Sequence, residues 1–109
     1  MANKFINAQF SLTTTNPVAV YTCPAETVAM IKSIQSYNSS SGTVSVTASI
    51  TDNSASATYN FSKRTLGAGT SSDLLTGVKV FEENDILKIT ASHTSVVTGT
   101  VAILEQDRK

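Results

Sequence analysis

The chain has 109 residues, of which 40% are hydrophobic and only 15% charged, and its formal net charge is zero. That length fits one domain, and that balance excludes a disordered chain and a heavily charged, solvated helical protein. With no basic excess to neutralise phosphates, nucleic acid is not an expected partner.

Ser and Thr supply 31 residues, spread between apolar residues and accompanied by only two prolines. This is the pattern of a sheet with one wet face, not of a mucin-like tract. Cys23 is the single cysteine, so neither an internal disulfide nor a cysteine-based metal site is expected. The start, Met1-Ala2-Asn3-Lys4-Phe5, has no apolar run behind it, and no segment approaches membrane-spanning length. Synthesis in a cytoplasm without membrane insertion is therefore expected. The sequons Asn38-Ser39-Ser40 and Asn60-Phe61-Ser62 are expected to be unused.

In chain order, Phe5 to Thr15 comes first, with Ile6, Ala8, Phe10 and Leu12 on one parity. This predicts a first strand, the alternative being an extended arm laid on a neighbour. Asn16-Pro17 signals a turn. Val18 to Thr22 is a short strand, and Pro24 ends it or confines it to an edge. Val28 to Tyr37 is a strand of irregular parity. Ile31 and Tyr37 fall opposite Val28, Met30 and Ile34, and Lys32 interrupts the pattern. A β-bulge near Ile31-Lys32 accounts for this, as does a strand covered on both faces.

Residues 38–42 form the turn into Thr43 to Asp52, the clearest strand of the chain. Val44, Val46, Ala48 and Ile50 alternate with Thr43, Ser45, Thr47, Ser49 and Thr51. A period of two places the apolar set on one face, and β-branched residues suit the pleat. Ala57, Tyr59 and Phe61 form the apolar parity of the next strand. Lys63 to Ser72, with Gly67-Ala68-Gly69, reads as a loop. Leu74-Leu75 and Val78 to Phe81 are short apolar pieces, and Glu82-Glu83-Asn84-Asp85 is an acidic turn. Leu87, Ile89 and Ala91 mark a further strand. Val97, Val101 and Ile103 mark the last one, with Gly99 a bulge or close-contact site. The expectation is an all-β single domain: an antiparallel β-sandwich of about eight short strands, jelly-roll or immunoglobulin-like. Residues 1–15 form its N-terminal strand or arm, 16–105 the sandwich and 106–109 a charged tail.

Recognisable catalytic chemistry is lacking, so no enzyme, cofactor or metal is expected. His93, the only histidine, shares the parity of Leu87, Ile89 and Ala91 and has no Gly-x-Ser-x-Gly elbow to serve. The acidic turn departs from the EF-hand spacing, and turn carboxylates usually bond their own turn. The Gly67-Ala68-Gly69 stretch lacks the Lys-Ser/Thr and helix of a phosphate cradle. Cys23 has no nearby basic group to activate it, Lys32 being nine residues away, and reads as inert. Without Trp, the candidate platforms for a glycan are Tyr21 and Tyr37.

The run from Val20-Tyr21-Thr22-Cys23-Pro24-Ala25 through Val28 to Lys32-Ser33-Ile34 resembles the opening of a group of small bacteriophage virion proteins. Val44-Ser45-Val46-Thr47, Thr51-Asp52, Leu74-Leu75-Thr76-Gly77 and Asp85-Ile86-Leu87-Lys88-Ile89-Thr90-Ala91 follow in the matching order. The resemblance covers most of Val20 to Leu104. It implies a structural virion protein of a tailed phage: a capsid cement (decoration) protein, or a head-, neck- or tail-associated adaptor. The alternative reading is a neck, tail or fibre component that can contact a host glycan through its loops. The implied partners are the major capsid protein or other virion proteins, with the chain as a homotrimer on the capsid surface. A stand-alone carbohydrate-binding module is a third reading. Lys4, Phe5, Ile6 and Phe10 are the expected partner contact, because an apolar terminal segment can be ordered by a partner and Phe is enriched in interface cores.

Overall fold

The alternating pattern builds nine strands, and no helix among the described residues, in the computed structural model, which describes residues 3–75 and 77–107. Met1, Ala2, Thr76, Arg108 and Lys109 lie outside the described residues. They belong to the N-terminal segment, the Leu74–Gly77 motif and the charged tail of the sequence reading. The strands are β1 (Asn3–Leu12), β2 (Val18–Thr22), β3 (Thr27–Asn38), β4 (Val44–Asp52), β5 (Ala57–Leu66), β6 (Ser71–Asp73), β7 (Lys79–Phe81), β8 (Ile86–Ala91) and β9 (Val97–Asp107).

Two antiparallel sheets face each other. One runs β1-β9-β3, with the short β6 and β7 both on the far side of β3; the other runs β2-β8-β4-β5. The pairings are β1 with β9, β2 with β8, β3 with β6 and β7, and β4 with β5. The chain is thus one long antiparallel ribbon with its tip at the β4–β5 turn. It is wound so that β9 also meets β3 and β8 meets β4. This is jelly-roll order, which decides between the two topologies that alternation alone left open. Leu12, Ile31, Ile34, Val46, Leu87, Ile89 and Ile103 fill the space between the sheets, each at most 1% exposed.

Three bulges set the side-chain parity. On β3, Ile31 pairs with Ile103 and Ser33 with Ala102, which leaves Lys32 as the extra residue. The bulge turns both Ile31 and Ile34 inward and Met30 outward, which explains the irregular parity. On β2, Val20 is the bulged residue between Ala19 and Tyr21. On β5, Ser62 faces Ala48 and Asn60 faces Ser49, so Phe61 is extra.

The β5 bulge corrects two sequence expectations. Tyr59 is not a core residue but exposed, and Phe61 is only partly buried: it packs against the core while its ring carries the Lys79 ammonium 5.7 Å from its centre. The strand also continues through Leu66 where a loop was expected. Past the bulge, Arg64 and Leu66 pair with the inward Val46 and Val44, and Leu66 is buried. At the chain's other end, Gln106 and Asp107 are strand and not tail, because they pair with Val28 and Thr27.

Two buried polar side chains tie the loops down. Asn38 donates its amide to the carbonyls of Gly42 (2.8 Å), Leu66 (3.1 Å) and Gly67 (3.1 Å), and its oxygen accepts from Ser40 N–H and Oγ–H. Asp85 accepts from the Asn53 and Glu82 amides, both at 2.9 Å, and so joins the β4–β5 and β7–β8 turns. Each arrangement satisfies backbone groups that would otherwise be orphaned beneath a turn.

Candidate interaction face

Direct cross-strand partners point to the same side of a sheet, so the register identifies the outer surface of the β1-β9-β3 sheet. Phe5 pairs with Leu104, Leu104 with Met30, and Met30 with Val80. These four side chains form one apolar row across β1, β9, β3 and β7. Phe5 is 79% exposed and Val80 59%, while Met30 and Leu104 between them are half-buried. The adjacent inward residues, Ile31, Ile103 and Phe81, are buried, which fixes the row as outward.

Apart from the bulged Lys32 and from Asp73, which pairs with the outward Gln35, the rest of this face is uncharged. Its outward positions are Asn3, Asn7, Gln9 and Ser11 on β1, Thr98, Thr100, Ala102 and Gln106 on β9, and Val28, Ser33, Gln35 and Tyr37 on β3. The bulged Lys32 is the one formal charge on these three strands' outer side. Amides and hydroxyls bond laterally, Gln9 to Thr100 at 3.2 Å and Gln35 to Ser71 at 3.2 Å. A solvent-facing sheet normally carries charges, and their depletion around an apolar strip is the compositional mark of an interface core.

The sequence-predicted contact residues divide. Phe5 lies in the row, and Lys4 is exposed opposite Glu105 on the other parity. Ile6 is half-buried against the core. Phe10 is a correction: it is 8% exposed, because its ring lies over Gly99 on β9 and fills the place of the missing side chain. Met30, Leu104 and Val80 were not singled out from sequence. The signal for Met30 was the parity break at Lys32, legible only once the bulge is placed.

The glycan candidates also divide. Tyr21 is a correction: it is buried, and its hydroxyl donates to Glu105 Oε2 at 2.5 Å, so no platform is presented. Burial, and after it the Glu105 hydrogen bond, raises the phenol's pKa. Tyr37 is 44% exposed on the outer face, opposite Thr98 and Ser71.

The remaining candidates do not converge on a reaction. His93 is exposed, its Nδ1 3.0 Å from Ser92 Oγ. Cys23 is fully buried, its thiol donating to the Thr27 carbonyl at 3.4 Å, and burial raises its pKa. In the acidic turn, Glu83 accepts from the Glu26 amide at 2.7 Å while both Asp85 oxygens are taken by backbone N–H groups. Among the described residues, no cluster of three His, Cys, Asp or Glu side chains is placed to hold a metal.

No family model matches the chain, and no curated protein matches it. Solved structures do. A protein in the acidic stable capsid of Helicobacter pylori bacteriophage KHP30 is 13% identical with a TM-score of 0.62, covering 100% of this chain and 90% of that one. A protein of the Bacillus endospore appendages, described as disulfide-linked pili, is 11% identical with a TM-score of 0.59, covering 99% and 88%. Eiger TNF from S. frugiperda is 9% identical with a TM-score of 0.53, covering 96% and 94%. At these identities the likeness is one of fold.

Proposed function

We propose that the chain is a structural protein of a tailed-phage virion, a cement protein that docks on the capsid surface and bridges neighbouring capsid subunits. The observation that carries this reading is the charge-depleted outer face of the β1-β9-β3 sheet, with its Phe5–Leu104–Met30–Val80 row. The order of sequence motifs and the fold's likeness to a phage capsid protein and a pilus protein support it. Three strands of about ten residues, with the three-residue β6 and β7 beyond β3, lie about 4.8 Å apart and cover roughly 600 Å². A stable interface takes about 800 Å² per partner. One face therefore makes a modest contact, and many copies, or a homotrimer, multiply it through effective concentration. The chain needs no catalytic group for this role, and we assign it none.

The test is twofold. In purified virions, this chain should stand in near-fixed proportion to the major capsid protein at hundreds of copies; a few tens would move it to the neck, tail or fibre. Met30→Glu and Leu104→Glu should each abolish binding to stripped capsids while the sandwich still folds. Unchanged binding would exclude the face. The adaptor reading draws on Tyr37, whose exposed ring is the remaining glycan platform; Tyr37→Ala should then weaken glycan binding without loss of stability.

A further inference from the structure

Every open sheet offers two edges, whose unpaired N–H and C=O groups are templates for another strand. Three of the four edges here carry devices that block such pairing. The β2 edge has five residues, lies between Pro17 and Pro24, and is bulged at Val20. The β5 edge is bulged at Phe61 and carries Lys63 and Arg64. The far edge of the first sheet consists of β6 and β7, three residues each. The fourth edge, β1, has none of these. It runs ten residues in unbroken register with β9, contains no proline, and holds one charge, Lys4.

We infer that β1 is a strand-pairing edge and that its partner is β1 of a second copy of this chain, antiparallel across a two-fold axis at Asn7. The occupant follows from symmetry and chemistry. An antiparallel pair of identical strands is self-complementary, and a two-fold axis makes every contact twice. Side chains keep to matching faces only if paired residue numbers have an even sum, which excludes half of the registers. Leu12 is the last residue of the strand and is buried, so the exposed part of the edge ends at Ser11. The register that uses the open remainder pairs Asn3 with the second copy's Ser11, Phe5 with its Gln9, and Asn7 with its Asn7. Lys4 then faces Phe10 and not a second Lys4, so no like charges meet, and the chain's zero net charge adds no repulsion. Phe5, exposed at the edge of the sheet, gains cover from the second copy's Gln9.

The contact is small. About nine residues at about 3.3 Å each, across a sheet about 10 Å thick, give roughly 300 Å² per copy, well below the roughly 800 Å² of a standard interface. Pairing is therefore weak in dilute solution and effective where copies are crowded on a surface. It does not depend on the capsid reading, since it is measured on the purified chain alone.

The experiment is site-directed cross-linking of the full chain. Asn7 and Ser11 are both exposed, so Asn7→Cys and Ser11→Cys should fold as the parent does. In the proposed pair the two residue-7 side chains are directly opposed, within disulfide range, whereas the two residue-11 positions lie roughly 27 Å apart. In a glutathione redox buffer, Asn7→Cys should form the linked dimer at least ~10-fold faster than Ser11→Cys. Equal rates, or faster linkage through residue 11, would overturn the pairing. Independently, Asn7→Glu and Asn7→Lys should each weaken self-association about threefold by sedimentation velocity, and an equimolar mixture should recover it. A parent chain that shows no association at its solubility limit would refute the inference.

Discussion

Gly99→Ala tests whether the first sheet depends on a residue without a side chain. Gly99 on β9 pairs with Phe10 on β1 and with Ser36 on β3. A methyl group there would lie 2.7 Å from Phe10 Cε1, and closer still to Phe10 Cζ and the Gln35 carbonyl oxygen, where ordinary contact begins at 3.4 Å. The ring is a buried core element and the carbonyl belongs to the backbone of β3, so neither yields freely. Overpacking of this kind costs about 1–3 kcal/mol, and two obstacles place it at the upper end. For a domain of this size, about 2–3 kcal/mol lowers the melting temperature by roughly 8–12 °C. Urea denaturation monitored by circular dichroism measures it. The Phe10→Ala/Gly99→Ala double variant should be more stable than the sum of the single changes by at least ~1 kcal/mol, because removing the ring makes room for the methyl. A Gly99→Ala protein within about 0.5 kcal/mol of the parent, or additive single changes, would refute the role given to the Phe10–Gly99 contact.

Asp85→Ala should cost about 3 kcal/mol, because the Asn53 and Glu82 amides both lose a charged acceptor; denaturation midpoints check it. Asn38→Ala should cost about 2–3 kcal/mol. Asn38→Asp should cost more at neutral pH, since a carboxylate would replace the amide facing the Gly42, Leu66 and Gly67 carbonyls. Stability should fall as pH rises above about 8.5, the ordinary cysteine value. Burial raises the folded-state pKa of Cys23 and of Tyr21, so the unfolded chain loses these protons first and alkali favours it. Cys23→Ala should flatten the start of that decline in melting temperature against pH.

Much of the fold was legible because strict alternation leaves little choice of face. The β4 pattern placed Val44, Val46 and Ala48 inward, and each is buried. The parity break at Lys32 was readable as a bulge because its flanking residues kept their own periodicity. What alternation does not carry is strand order, since pairing partners are set by packing between distant segments. The β5 extension was hidden for a related reason. Phe61 looks like the third apolar residue of a regular strand, yet as the bulged residue it reverses the parity of all that follows. The candidate face was only partly legible. Phe5 was visible as an apolar residue near a chain end. Its row of partners on β9, β3 and β7 exists only through register, and Phe10 was claimed by the core because Gly99 left space for its ring.

The ribbon winding also governs how the protein acquires its structure. Gln9 meets Thr100 across 91 positions of sequence, so the pairing that completes the first sheet joins segments far apart in the chain. Long-range pairings of this kind fold slowly, in roughly milliseconds to seconds, because loop closure precedes the contacts that reward it. During synthesis β1 emerges long before β9, and until then it has no neighbour in its sheet. The strand whose outer edge is unguarded in the finished molecule is thus unguarded on both edges in the nascent one. Its solubility in that interval rests on Lys4 and on the polar set Asn3, Asn7, Gln9 and Ser11, and exchanging these for apolar residues would send the chain into aggregates before it could close.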